Sequence, residues 1–275
     1  MNNLLTKLAT IAATSAAISI VSVVEIPKAE AVSLSIANAG FEEPIVGEGE
    51  FTDKLHFVFG QYTGAPVPGW EIYDPNGILA SFTAPEPTTQ DFANVGVWNP
   101  GIESYSGEAP EGKNVGFVYM PTYAPTLVSI GSGSAGLSQT LSSSLSANTL
   151  YTLQVEVGNT GGVFGTIDDS GFPGYRVEFL AGGTLLAVDD NTLNPTDGTF
   201  ETSSLSFQTP LAPPNLGAPL EIRLINLNIG PGNEVNFDNV RLEATSVPEP
   251  SSVLGLLAFS AVGASFIRKK KQACS

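Results

Sequence analysis

Residues 149–158, Thr-Leu-Tyr-Thr-Leu-Gln-Val-Glu-Val-Gly, alternate apolar and polar side chains with a period of two. Successive side chains of a strand point to opposite sides, so Tyr151, Leu153, Val155 and Val157 share one face and Thr152, Gln154 and Glu156 the other. The same alternation sets Tyr175, Val177 and Phe179 against Arg176 and Glu178. It also sets Leu220, Ile222 and Leu224 against Glu221 and Arg223. No part of 32–246 carries a helical stripe of about ten residues or more, so this body is all-β.

Working outward, strands are predicted at 33–37, 55–62, 69–73, 94–98, 113–119, 135–141, 149–158, 174–181, 184–189, 199–208, 219–228 and 235–243. Gly182-Gly183 between two apolar runs signals a tight hairpin. So many short strands in one stretch predict a two-sheet sandwich of jelly-roll type. The Pro- and Gly-rich connections 40–53, 74–90, 158–174 and 208–219 would lie at its ends.

Charge and cysteine narrow the possibilities. Residues 32–246 hold five basic against twenty-four acidic side chains, and the one cysteine, Cys274, lies outside them. Such a body repels nucleic acid and anionic lipid headgroups, and neither is expected as a partner. With no disulfide available, it must hold together by core burial, with a metal ion as a possible aid.

The two ends read as export signals. Residues 1–31 have Lys7 before an apolar stretch and close on Ala29-Glu30-Ala31, the small-residue pattern of a cleaved secretory signal peptide. Residues 247–275 begin Val247, Pro248, Glu249, Pro250, continue through fifteen uncharged residues at 253–267 and end in Arg268, Lys269, Lys270 and Lys271. At 1.5 Å per residue that run reaches roughly 22 Å, so one transmembrane helix needs the flanking serines and lysine stems to complete it. The basic cluster holds its own side in the cytoplasm and places the body outside. A plain anchor on a proline-rich stalk would share these parts.

In that order the tail resembles the PEP-CTERM sorting signal, which is read by membrane-embedded exosortases. The resemblance implies an exosortase-like processing enzyme as partner. It also implies an inner-membrane-tethered precursor and delivery to the cell surface or extracellular matrix, where extracellular polysaccharide is the expected partner.

A second resemblance covers the body. Asn38-Ala39-Gly40-Phe41-Glu42, Pro68-Gly69-Trp70, Leu137-Ser138-Gln139-Thr140-Leu141 and Phe237-Asp238-Asn239-Val240-Arg241-Leu242 are similar to galactose-binding-like jelly rolls, among them carbohydrate-binding modules. The terminal strands of such a sandwich are neighbours, so Glu42 and Asp238 are the candidate ligands of a structural calcium ion. An Asx turn at Asn38 and a turn cap at Asp238 are the plainer readings. Trp98, Tyr105, Trp70 and Tyr73 are the candidate sugar-binding rings, with core packing the alternative, above all for Trp70.

Signals for catalysis are sparse. The lone histidine, His56, lies in an apolar run, and no nucleophile elbow or His-Glu-x-x-His motif occurs. The expectation is an exported, non-catalytic protein that binds carbohydrate. A purely structural coat or biofilm protein is one alternative, and a weak glycoside hydrolase or lyase working through paired carboxylates is the other.

Overall fold

The computed structural model describes residues 30–52, 56–58, 61–63, 67–81, 94–120, 133–164, 167–168 and 170–247. The expected signal peptide, but for its last two residues, and the tail after Val247 lie outside them. The expected transmembrane helix belongs to that tail, and among the described residues no helix is long and apolar enough to cross a membrane.

The chain opens with β1 (Ala31–Leu34), β2 (His56–Val58), β3 (Gln61–Thr63) and β4 (Glu71–Tyr73). A one-turn helix α1 (Ile78–Ser81) precedes β5 (Asn94–Trp98), and a second, α2 (Gly101–Ser104), precedes β6 (Val115–Tyr119). Then come β7 (Ala135–Ser144), β8 (Thr149–Asn159), β9 (Val163–Phe164), β10 (Ile167–Asp168) and β11 (Tyr175–Ala181). The chain closes with β12 (Thr184–Asp190), β13 (Thr199–Gln208), β14 (Pro219–Asn226) and β15 (Glu234–Ser246).

Two antiparallel sheets face each other. The first runs β13-β8-β15-β6-β5, with β1 continuing the β6 side of β15, and the second runs β12-β11-β14-β7-β4. The inner faces are the apolar faces of the alternating runs: Leu153, Val155 and Val157 of β8 with Val235, Phe237 and Leu242 of β15 share one core with Val177, Phe179, Ile222 and Leu224. This is the jelly-roll sandwich expected from the sequence.

Two departures have local causes. The single strand expected at 55–62 is a pair, β2 and β3, closed at Val58↔Gln61. The first strand stops at Leu34 because the Gln139 side chain takes over the edge. Its Oε1 accepts from the Ala37 N–H at 2.8 Å and its Nε2 donates to the Ala37 carbonyl at 2.9 Å.

A polar latch joins the sheets at one side. Asp189 of β12 accepts from Ser203 Oγ of β13 at 2.6 Å, from Thr192 Oγ1 at 2.7 Å and from the buried Tyr175 hydroxyl. Asp189, the last residue of the strand expected at 184–189, is buried. Burial opposes its ionisation, but the hydroxyls of Ser203, Tyr175 and Thr192 outweigh it and hold the carboxyl below its usual value.

The outer faces differ in a way that locates the site. The second sheet shows solvent ion pairs, Arg176 with Asp190 at 2.8 Å and Arg223 with Glu221 at 2.6 Å. The first sheet carries one such pair, Arg241 with Glu156 at 3.2 Å, but towards β5 and β6 its outer face is aromatic and buried beneath the segment that carries α2.

Candidate active site

Register assembles this face row by row. Val235 and Phe237 of β15 point into the core, so Glu234 and Asn236 point outward. Glu234 lies opposite Tyr119 of β6, which lies opposite Asn94 of β5. In the next row Asn236 lies between Phe117 and Gly158, and Phe117 lies opposite Gly96. The glycines leave room for rings: a Cβ at Gly158 would meet Phe200 Cε1 at 2.3 Å, and one at Gly96 would meet Phe117 Cε1 at 2.8 Å.

The covering segment turns at Asn99, whose Nδ2 donates to the Val46 carbonyl at 3.1 Å, and at Gly101, which takes a positive φ of 61°. It brings Tyr105 onto Phe200 with ring centroids 4.3 Å apart. Trp98 stacks on Phe51 at 5.0 Å, and Phe51 meets Phe117 edge-on at 5.5 Å. The result is a layer of aromatic rings beside a polar centre.

That centre is a directed network. The Tyr105 hydroxyl and Thr160 Oγ1, the latter at 2.6 Å, both donate to Asn236 Oδ1. Asn236 Nδ2 then donates to Glu234 Oε1 at 2.8 Å. Two hydroxyls on one end of the amide and a carboxylate on the other fix its orientation. Glu234 is only 8% exposed. Its Oε1 is an acceptor for the Asn236 amide, which fixes the carboxyl group in place. A buried acid of set orientation beside π-faces can deliver a proton to a bound apolar molecule and face the positive charge that results.

A second carboxylate group lies around the bulge of β15, between Asp238 and Arg241. Glu42 Oε1 accepts the N–H groups of Lys113 and Asn114, each at 2.8 Å. Asp238, fully buried, accepts the Glu111 N–H at 2.8 Å and the Asn239 N–H at 2.7 Å. Burial above all, with the charges of Glu111 and Glu42 adding to it, pushes the Asp238 carboxyl up to about 8. Glu42 and Asp238 are therefore brought together, as the expected pairing of terminal strands requires. Asn38 closes the turn between them and the core: its Oδ1 accepts the Glu43 N–H at 3.0 Å and its Nδ2 donates to the Glu43 carbonyl at 2.7 Å.

The four rings expected to bind sugar do not form a platform. Trp70 is in the core, stacked 5.3 Å from Phe41, with Nε1 donating to the Asn38 carbonyl at 3.1 Å. Tyr73 belongs to the second sheet, under the Arg223 guanidinium at 4.8 Å. Trp98 and Tyr105 are neighbours at 6.4 Å, but at 2% and 3% exposure they are covered by the rings that pack on them. The sorting residues after Val247, Pro248 to Lys271, lie outside the described residues. Glu234, Asn236 and Thr160 were missed by the sequence reading. The available signal was the run Glu234-Val235-Asn236-Phe237-Asp238, which sets three polar side chains on one face of a strand.

The sequence matches the HpiC1 cyclase family over residues 32–243 and the PEP-CTERM protein-sorting motif over residues 246–271. An apo-form cyclase from Fischerella sp. is 41% identical, with a TM-score of 0.67 over 80% of this chain and 98% of its own. The Stig cyclase Fisc from Fischerella sp. TAU, in complex with (3Z)-3-(1-methyl-2-pyrrolidinylidene)-3H-indole, is 42% identical, with a TM-score of 0.67 over 80% of this chain and 100% of its own. A cyclase from Fischerella sp. TAU in complex with 4-(1H-indol-3-yl)butan-2-one is 42% identical, with a TM-score of 0.66 over 79% and 100%. Carbohydrate-binding modules are distant neighbours. No curated protein sequence matches.

These matches overturn the expectation of a non-catalytic, carbohydrate-binding protein, and with it the expected polysaccharide partner. The reason for the error is physical: the motifs that carried the resemblance, Phe41, Trp70 and Phe237 among them, build the core of the sandwich, and a fold does not fix a function. The sorting motif stands, and it implies processing by an exosortase-like enzyme at the membrane.

Proposed function

We propose, on the premise that the chain belongs to the HpiC1 cyclase family, that it is a cyclase acting on an indole-bearing substrate, with Glu234 as its general acid. The observation that carries the reading is the buried Glu234 carboxyl, oriented by Asn236, Thr160 and Tyr105 one register row from Phe117, with Tyr105 stacked on Phe200. The indole ligands of the Fischerella cyclases support the substrate class. Glu234 gives its carboxyl proton to an unsaturated carbon of the bound molecule, a ring closes on the cation, and a proton is lost from the product. One proton enters and one leaves, so the reaction is an isomerisation without a co-reactant. The aromatic layer excludes water, which would otherwise capture the cation, and its π-faces stabilise the charge.

We also propose that Glu42 and Asp238 hold a calcium ion that fixes the β15 bulge against the covering segment. The fit rests on the donor chemistry: oxygen only, two carboxylates, and a buried Asp238 whose ionisation its surroundings oppose. Among the described residues no group of three or more His, Cys, Asp or Glu side chains is arranged to hold a metal, so backbone carbonyls and water would complete the shell. The ion would supply structural charge balance. Beyond processing at the membrane, the sorting motif supports delivery of this activity to the cell surface.

The test is Glu234→Gln, which keeps the acceptor for Asn236 but removes the acid. Ring closure on an indole bearing an alkenyl chain is expected to fall by about 100-fold or more, with the circular dichroism spectrum unchanged. Full activity in that variant would refute the assignment.

A further inference from the structure

At the end of the sandwich where β8 runs out lies a cleft of about 550 Å³, a volume in the range of small-molecule sites. Phe172, Pro195 and Pro231 give it apolar walls, Asn159 lies at its base, and Asn194, Thr196 and Asp197 complete its lining. It takes the opposite face of β8 from the Glu234 centre, which the next residue, Thr160, reaches. Asn159 follows the inward parity of Val157, whereas Glu234 and Asn236 occupy the outer face.

Asn159 carries the argument. The residue is 2% exposed, and its Nδ2 donates to the Pro195 carbonyl at 2.9 Å and to Asp197 Oδ1 at 3.1 Å. Both partners are acceptors, so the amide cannot be turned round, and the atom left over is Oδ1. That oxygen is buried and has no donor among the described residues. Buried acceptors without donors are rare and costly, and one at the base of a preformed cleft marks the place of a ligand's N–H group. Asp197 is exposed beside it and forms no ion pair among the described residues. The wall opposite is rigid: a Cβ at Gly232 would meet the Gly171 carbonyl oxygen at 2.4 Å, and one at Gly230 the Phe172 carbonyl oxygen at 2.3 Å.

We propose that this cleft binds a small organic ammonium with a flat apolar body. One N–H is donated to Asn159 Oδ1, the charge faces Asp197, and the body lies against Phe172, Pro195 and Pro231. Five basic against twenty-four acidic side chains in 32–246 draw such a cation in.

The test uses the full chain and protonated 2-phenylethylamine, with 2-phenylethanol as its uncharged isostere. Titration calorimetry is expected to give one saturable site that the alcohol does not share, and the Asn159 side-chain amide resonances should move with occupancy. Asp197→Asn, at an exposed position that keeps an oxygen for Asn159 Nδ2, should weaken the amine at least tenfold. The proposal is overturned by an absence of saturable binding at millimolar amine, by equal binding of the alcohol, or by an undiminished affinity in Asp197→Asn. Because the Asn159 and Asp197 side chains bond each other and not Glu234 or Asn236, loss of amine binding with ring closure intact separates this site from the cyclase reading.

Discussion

Individual side chains in this molecule are held by hydrogen bonds that decide their protonation. Tyr175 and Asp189 form the clearest pair. Burial, reinforced by the bond to Asp189, pushes the Tyr175 hydroxyl up to about 12. The folded state therefore keeps a proton that the unfolded chain loses near its ordinary value of 10.0, and stability falls as pH rises through that interval. Asp189 has the opposite sense. Its carboxyl is depressed in the folded state, so its contribution is present above about pH 4 and is lost as pH falls through the lowered value. Thermal melts across pH should decline at both limits. Ser203→Ala, which removes one of the donors to Asp189, should shrink the acid-side decline. In the Glu234 network, Tyr105→Phe deletes a donor to the buried Asn236 oxygen and should cost about 1–2 kcal/mol in a denaturant melt. It should also lower turnover, because Asn236 orients the acid.

At the scale of elements, strand packing leaves some positions no room for a side chain. A Cβ at Gly136 of β7 would stand 1.9 Å from the Leu224 carbonyl oxygen of β14, a backbone atom that can shift only with its strand. Gly136→Ala should destabilise by about 3 kcal/mol, whereas Gly107→Ala, with open space around it, should be near neutral. The strands themselves were legible because alternation is a local property. β5 and β13 coincide with the readings at 94–98 and 199–208, and β8 with 149–158 to within one residue. The first strand was misplaced because a distant side chain, Gln139, replaces backbone pairing at Ala37. The site was harder to read for the same reason on a larger scale. Glu234 falls in one row with Tyr119 and Asn94 only through cross-strand register, and Thr160 and Tyr105 reach Asn236 from separate loops. Trp98 was read as a candidate sugar-binding ring, but Phe51 and the Tyr105 that follows its Asn-Pro-Gly turn pack on it and bury it.

The whole molecule is one sandwich used asymmetrically: ion pairs lie on both outer faces, and only the first sheet is capped, towards β5 and β6, by rings near an acid. The motifs at the two ends of the body, Asn38 to Glu42 and Phe237 to Leu242, tie the capping segment to β15 through Glu42 and Asp238. If calcium sits there, chelation should lower the melting temperature and reduce turnover together, and added calcium should restore both. Magnesium should restore less, since it demands a tighter octahedral shell. The most direct test of the cyclase account is to incubate the full chain in heavy water with an indole bearing an alkenyl chain and to analyse the product. Acid-initiated closure predicts a ring-closed isomer of unchanged elemental composition, carrying deuterium at the carbon that Glu234 protonates, and far less of it with Glu234→Gln. Recovery of unchanged substrate from folded, calcium-supplied protein, or an isomer formed equally well by the variant, would contradict it.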